Sequence, residues 1–214
     1  MSDPTVLKPS RRRGWLWLFV ATPLVALLFI WVLNYQLVGH PVQTKLSADP
    51  RNQGYSLSAH FRYYVDPSVL VLDLRAVESA APVDLFRALF QSAEALHESG
   101  RRFDRVVLAR AGSPVFLMEG EAFSTIGAEF SAGQNPAYLI RTLPEKLFRP
   151  SGQPAFDRWE GGWLGVLGEQ MEDANQAAHQ WASASEQRLT TGSSGGRCVP
   201  PLNRRVSGTE GEVI

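Results

Sequence analysis

The nineteen residues from Trp15 to Leu33 (WLWLFVATPLVALLFIWVL) carry no charge, and this stretch constrains the chain more than any other feature. As a helix it would span about 28 Å, close to the hydrocarbon thickness of a bilayer. Trp15 and Trp17 stand at one end and Trp31 and Tyr35 at the other, where amphipathic rings favour the membrane interface. Pro23 lies mid-span, which predicts a kink that a lipid-buried helix tolerates. The stretch is longer than the apolar core of a secretory signal. Its exit, NYQLVGHPVQ, offers neither a small-residue cleavage pattern nor a cysteine for lipidation. The expectation is an uncleaved anchor, with the bilayer as the partner of residues 15–33.

Charge sets its direction. Lys8, Arg11, Arg12 and Arg13 precede the apolar run, whereas the first full positive charge after it is Lys45. The positive-inside rule then keeps the N-terminus in the cytoplasm and exports the chain beyond the helix. The expected placement is the cytoplasmic (inner) membrane, single-pass, with the C-terminal domain in the periplasm.

The chain divides into five segments: a basic segment 1–14, a transmembrane helix 15–35, a polar stalk 36–54, an α/β domain 55–183 and a disordered tail 184–214. Alternation from Tyr55 to Val65 predicts a half-buried strand, with Leu57, Ala59, Phe61, Tyr63 and Val65 facing the core. Asp66-Pro67-Ser68 reads as a turn, and Val69 to Leu74 as a central strand covered on both faces. Pro82 and Asp84 open a helix that Gly100 closes. Ala111-Gly112-Ser113 separates two further strands as a hairpin loop.

Phe123, Ile126 and Phe130 mark a short helix, and Asn135-Pro136 caps another. Trp163, Leu167, Met171, Ala174, Ala178 and Trp181 recur at helical spacing in a last one. The fold class is α/β, with a mixed sheet in β-β-α-β-β order and C-terminal helices. The strand-helix-strand unit in its middle implies a parallel pair with a right-handed crossover. A fragment of residues 50–184 would retain every one of these periodic segments.

Composition narrows the function. With 21 basic and 21 acidic residues the formal charge is zero, which disfavours nucleic acid as a partner. Only three basic residues are lysines (Lys8, Lys45, Lys146), but the arginines are scattered and form no phosphate-binding cluster. Cys198 is the one cysteine, so no intrachain disulfide forms. His40, His60, His97 and His179 fall in four different elements, giving no metal set. The chain has no nucleophile elbow, P-loop or dinucleotide fingerprint, so no cofactor is implied, and no motif set resembles a known family.

Two weaker constellations remain. Asp73, Arg75 and Glu78 end a predicted parallel strand, where open α/β sheets bind ligands, and could supply a base and an anion clamp. The bland alternative is an Asp–Arg pair that satisfies itself. Arg158, Trp159 and Glu160 precede a helix with glycines at 162, 165 and 168 on one face. Each such glycine costs about 1 kcal/mol of helix stability, which close approach of another backbone would offset. Trp also recurs at binding hot spots, so Trp159 with its neighbours is the candidate partner surface. The leading expectation is a membrane-tethered, non-catalytic envelope module that binds a protein partner as part of a larger assembly. The alternative is a tethered periplasmic hydrolase using Asp73, Arg75 and Glu78. A sensor role would need an output domain, for which the short basic segment ahead of the helix is expected to be too small.

Overall fold

The computed structural model describes residues 12–78, 81–161 and 163–193. Helix α1 (Arg12–Asn34) continues through a π-helical turn (Tyr35–Gly39) into α2 (His40–Ser47). Leu24, Val25, Leu27, Leu28, Phe29 and Trp31 are all exposed, so the protein covers none of these apolar side chains of α1. Among the described residues one helix is long and apolar enough to cross a membrane, and it is this one. The π turn has a local cause. Pro41 has no N–H, and its ring would collide with the carbonyl four residues back in a regular helix. In the π turn the His40 N–H instead reaches back five residues to the Tyr35 carbonyl, and the register shifts ahead of the proline.

Residues 36–54 are not the polar stalk expected from their composition. Val38, Val42 and Leu46 repeat every four residues, and all three are buried in the main core. A polar network then closes the segment onto the next helix. Asn52 Nδ2 donates to the Leu46 carbonyl (2.9 Å) and to Gln91 Oε1 (2.6 Å), and Gln91 Nε2 donates to Asp49 Oδ2 (3.0 Å). A fragment beginning at residue 50 would therefore lack three core side chains. Gly39 and Pro41 disguise the periodicity, because both read as breakers when only sequence neighbours are weighed.

Four strands form one mixed sheet in the order β1 (Tyr55–Arg62), β2 (Asp66–Val77), β3 (Arg105–Arg110), β4 (Ser113–Glu119). β2 and β3 run parallel, joined by α3 (Pro82–Glu98); the outer pairs are antiparallel. Then come α4 (Gly120–Ser131), α5 (Pro136–Thr142) and α6 (Trp163–Ser193). The mixed α/β architecture matches expectation. So do two local signals. Ala111 and Gly112 take φ of 48° and 78°, the left-handed pair that a tight hairpin needs, and Asn135 Oδ1 accepts the Ala137 N–H at 2.9 Å to cap α5.

Three further expectations fail. The first turn is not Asp66-Pro67-Ser68. It is Tyr63-Tyr64-Val65, with Tyr63 and Tyr64 in left-handed conformations, so Tyr63 and Val65 are exposed instead of buried. Asp66 begins β2 and uses Oδ1 to accept from the Ser68 N–H (3.1 Å) and hydroxyl (2.6 Å). Next, β2 is covered unevenly: its second face buries Val69 and Asp73 but leaves Val71 half-buried. Leu70, Leu72 and Leu74 point with Val106, Leu108, Phe116 and Met118 into the helical layer, while Val71 and Val107 on the opposite face are half-buried.

Third, the helix expected to end near 183 runs to Ser193, and its buried stripe is Gln170, Ala174, Ala177, Ala178 and Trp181; Met171 is exposed. Trp181 Nε1 donates to the Ala109 carbonyl (2.9 Å), and Arg110 Nε donates to the Ala182 carbonyl (2.7 Å), fixing α6 to β3. The expectations for residues 1–11, for Gly162, for the side chains of Trp15, Trp17 and Trp163, and for 194–214 lie outside the described residues.

Candidate functional site

Alternation along the strands puts a second set of side chains on the uncovered face of the sheet. Register aligns them in rows. His60, Val71, Val107 and Leu117 form one, and Ser58, Asp73, Ala109 and Pro114 the next. All of these except Ser58, together with Tyr63 and Tyr64 of the β1–β2 turn and Pro150, line a cleft of about 550 Å³. Val71, Val107 and Leu117 make an apolar floor, while Arg62, Arg75 and Arg105 stand around it. A few hundred Å³ with an apolar base and a few convergent charges is the usual form of a ligand site.

Asp73 lies within β2, at its pairing with Ser58 and Ala109, and is 0% exposed. Its Oδ1 accepts the Gly112 N–H at 2.9 Å, which ties the β3–β4 turn back to β2. Oδ2 sits 2.7 Å from Arg75 Nε, in ion-pair contact. The guanidinium N–H points instead toward Ser58 Oγ (3.4 Å), so Oδ2 accepts no hydrogen bond. A buried carboxylate held this way would be strongly destabilising if its cation were removed. Glu78 follows the strand end, exposed, with its N–H bonded to the Gly54 carbonyl at 2.9 Å. Asp73 and Arg75 thus meet in the cleft, whereas Glu78 is absent from its lining.

His60 is the cleft's one imidazole. Its Nδ1 is 2.9 Å from the Phe61 carbonyl and must carry the proton to bond there, and its ring stacks on Tyr64 with centroids 4.7 Å apart. Ser58 Oγ bonds the Asp73 main-chain carbonyl at 3.4 Å. Hydroxyl, imidazole and carboxylate therefore share a face without forming a relay.

The Trp159 segment lies elsewhere. Trp159 keeps 37% of its surface exposed while its Nε1 donates to Asp173 Oδ2 at 2.6 Å. Arg158 Nε is 3.8 Å from Glu145 Oε2, and Glu160 is exposed. A Cβ added at Gly165 or Gly168 would meet nothing within 4 Å, so no backbone of this domain approaches either one. The close approaches occur instead at Gly120, against the Phe103 carbonyl, and at Gly127, against the Ala93 carbonyl where α3 crosses α4.

Sequence reasoning missed Arg62, Tyr63, Tyr64, Arg105, Val107 and Leu117 as parts of one site. The alternation did set His60 and Arg62 on the polar face of β1. What could have exposed the rest is the same rule applied to β3 and β4, where Arg105, Val107 and Leu117 alternate with core residues. No protein-family model, curated protein or solved structure matches this chain.

Proposed function

We propose that the chain is a membrane-tethered, non-catalytic module of the cell envelope that binds a protein partner on the uncovered face of its sheet. The observation that carries this reading is the apolar floor of Val71, Val107 and Leu117 ringed by Arg62, Arg75 and Arg105. Asp73 already neutralises Arg75, which leaves Arg62 and Arg105 to meet carboxylates. The partner segment is therefore acidic and apolar. Among the described residues no serine, threonine or cysteine lines the cleft, and the Asp73 carboxylate is committed to Gly112 and Arg75; both facts favour binding over hydrolysis by Asp73, Arg75 and Glu78.

Anchoring through residues 15–33 is supported by the exposed apolar side chains of α1 from Leu24 to Trp31. It is supported again by Asn34, Val38 and Val42, which make removal of this segment as a signal costly to the core. The arginines ahead of the helix favour a cytoplasmic N-terminus and a periplasmic domain. A periplasm-dependent reporter fused after Ile214 should be active, and Arg11, Arg12 and Arg13 changed together to Glu should reduce that activity.

The binding reading is tested with a photo-crosslinking residue at Leu117 in the full-length chain in its native membrane. One defined adduct is expected, lost on the double change Arg62→Glu and Arg105→Glu, which touches only exposed side chains. An adduct insensitive to that change, or none, would sink the proposal. Trp159, exposed beside the open Gly165 and Gly168 face, is the second surface. A crosslinker there that captures the adduct while Leu117 does not would move the interface to Arg158, Trp159 and Glu160.

A further inference from the structure

Outside α1, the most exposed large apolar side chains among the described residues cluster at the β1–β2 turn. Tyr63 is 75% and Val65 62% exposed, and Tyr64 stands between them. The turn is held firmly all the same. The Tyr64 N–H bonds the Phe61 carbonyl (2.9 Å) and the Val65 N–H bonds the Arg62 carbonyl (3.2 Å). Left-handed backbone at two successive tyrosines is an uncommon arrangement that costs free energy. A soluble turn would place Asn or Gly there, and the tyrosines suggest a surface that wants their rings.

The turn also has a defined place relative to the apolar helix. Asn34, the residue after Leu33, is 3% exposed. Its Nδ2 donates to the Tyr64 carbonyl at 2.6 Å, and its Oδ1 accepts the Phe61 N–H at 2.8 Å. The path lengths agree. From Asn34 the chain climbs about 20 Å through the π turn and α2 to Ser47, at 1.5 Å per residue. It then descends about 23 Å along β1, at 3.3 Å per residue. The turn therefore returns to the level at which the apolar run ends. Trp31 and Tyr35 stack at that level, their ring centroids 6.0 Å apart.

We propose that Tyr63, Tyr64 and Val65 seat in the interfacial layer of the same bilayer that holds α1, giving the protein a second, monotopic contact with lipid. The proposal rests on the membrane-anchor reading above. Tyrosine suits that layer because its ring enters the acyl boundary while its hydroxyl stays wet. Arg62, with its guanidinium 5.0 Å from the Tyr63 ring centre, can cover the ring and reach headgroups.

Charge is not the driving term. At this end of the sheet Arg62, Arg101, Arg102 and Arg105 stand against Asp66, Asp104 and Glu119, a nearly balanced set. The contact is therefore apolar and insensitive to salt. Two points of attachment fix the tilt of the domain, so that β2 stands away from the membrane and the cleft opens sideways, within reach of a neighbouring envelope protein.

The test uses the full chain, with Cys198 replaced by Ser, reconstituted into phosphatidylcholine–phosphatidylglycerol vesicles. A polarity-sensitive fluorophore is placed on a single cysteine at Val65, Tyr63, Val25 or Glu78. Glu78 lies at the far end of β2, about 36 Å from the turn at 3.3 Å per residue. Labels at 65 and 63 should shift to the blue and be quenched by a headgroup-level nitroxide lipid, unchanged by high salt. The label at 25 should be quenched by a deep nitroxide, and that at 78 by neither. Quenching at 25 with none at 63 or 65 would overturn the turn's contact while leaving the anchor standing. No quenching at 25 would remove the anchor reading itself. A blue shift at 65 that tracks protein concentration and ignores nitroxide lipid would assign the turn to a second copy of the chain and overturn the proposal.

Discussion

Asn34→Ala is the most informative single change in the molecule, because Asn34 joins the N-terminal apolar helix to the domain. Its side chain is buried and makes two hydrogen bonds to main-chain groups of the β1–β2 hairpin, at 2.6 and 2.8 Å. Each such bond contributes about 1 kcal/mol net, and a buried partner left unsatisfied costs about 1–3 kcal/mol. The Phe61 N–H loses its side-chain acceptor once the amide is gone, so the total loss is about 2–4 kcal/mol.

For a chain of this size that corresponds to a drop in Tm of about 4–16 °C, read by circular dichroism of the full-length protein in detergent. Asn34→Asp sharpens the result. The carboxylate still accepts from the Phe61 N–H but cannot donate to the Tyr64 carbonyl, and it sets negative charge against that oxygen. Asp should therefore rescue little of the loss. If Asn34→Ala melts within a degree of the wild type, the helix does not dock on the hairpin and the reasoning fails.

Gly127→Ala would place a Cβ 2.4 Å from the Ala93 carbonyl, forcing α3 and α4 apart at a cost of about 1–3 kcal/mol. Gly165→Ala, with open space around it, should instead stabilise by up to about 1 kcal/mol; melting both variants side by side checks the pair. Trp181→Ala should cost about 3–5 kcal/mol in denaturant unfolding, since the ring is fully buried and its N–H is bonded to Ala109. Acid should act through Asp49. Hydrogen bonds from Arg51 hold the Asp49 carboxyl well below the usual carboxylate range, with Gln91 adding to them. Its folded pKa being depressed, Asp49 contributes stability above the unfolded value near 4, which is lost as pH falls toward the folded value. Asp49→Asn should lower stability at neutral pH and flatten the decline below pH 4 in a pH series of melts.

What could be read along the chain was whatever neighbours in sequence decide. The uncharged run before Asn34, the caps at Pro82 and Asn135, and the Ala111-Gly112 turn are set by groups within a few residues of one another. The mixed α/β class came from the same local signals. The folded structure alone decided what depends on partners distant in sequence. Val38, Val42 and Leu46 became core because α3 offers them a surface, and nothing in GHPVQTKLS announces that surface. Tyr63 and Val65 continued a perfect alternation, yet two left-handed residues turned the chain before the pattern could be used.

The candidate site divides the same way. Asp73 and Arg75 were legible as a pair because they stand two apart on one strand face. The arginines and aromatics around them come from β1, β3 and the first turn, and only strand register brings them to one cleft. The glycines that mattered were Gly120 and Gly127, not the regularly spaced 165 and 168. Spacing along a helix records which side a residue faces; what, if anything, waits on that side is fixed by the packing of the other elements.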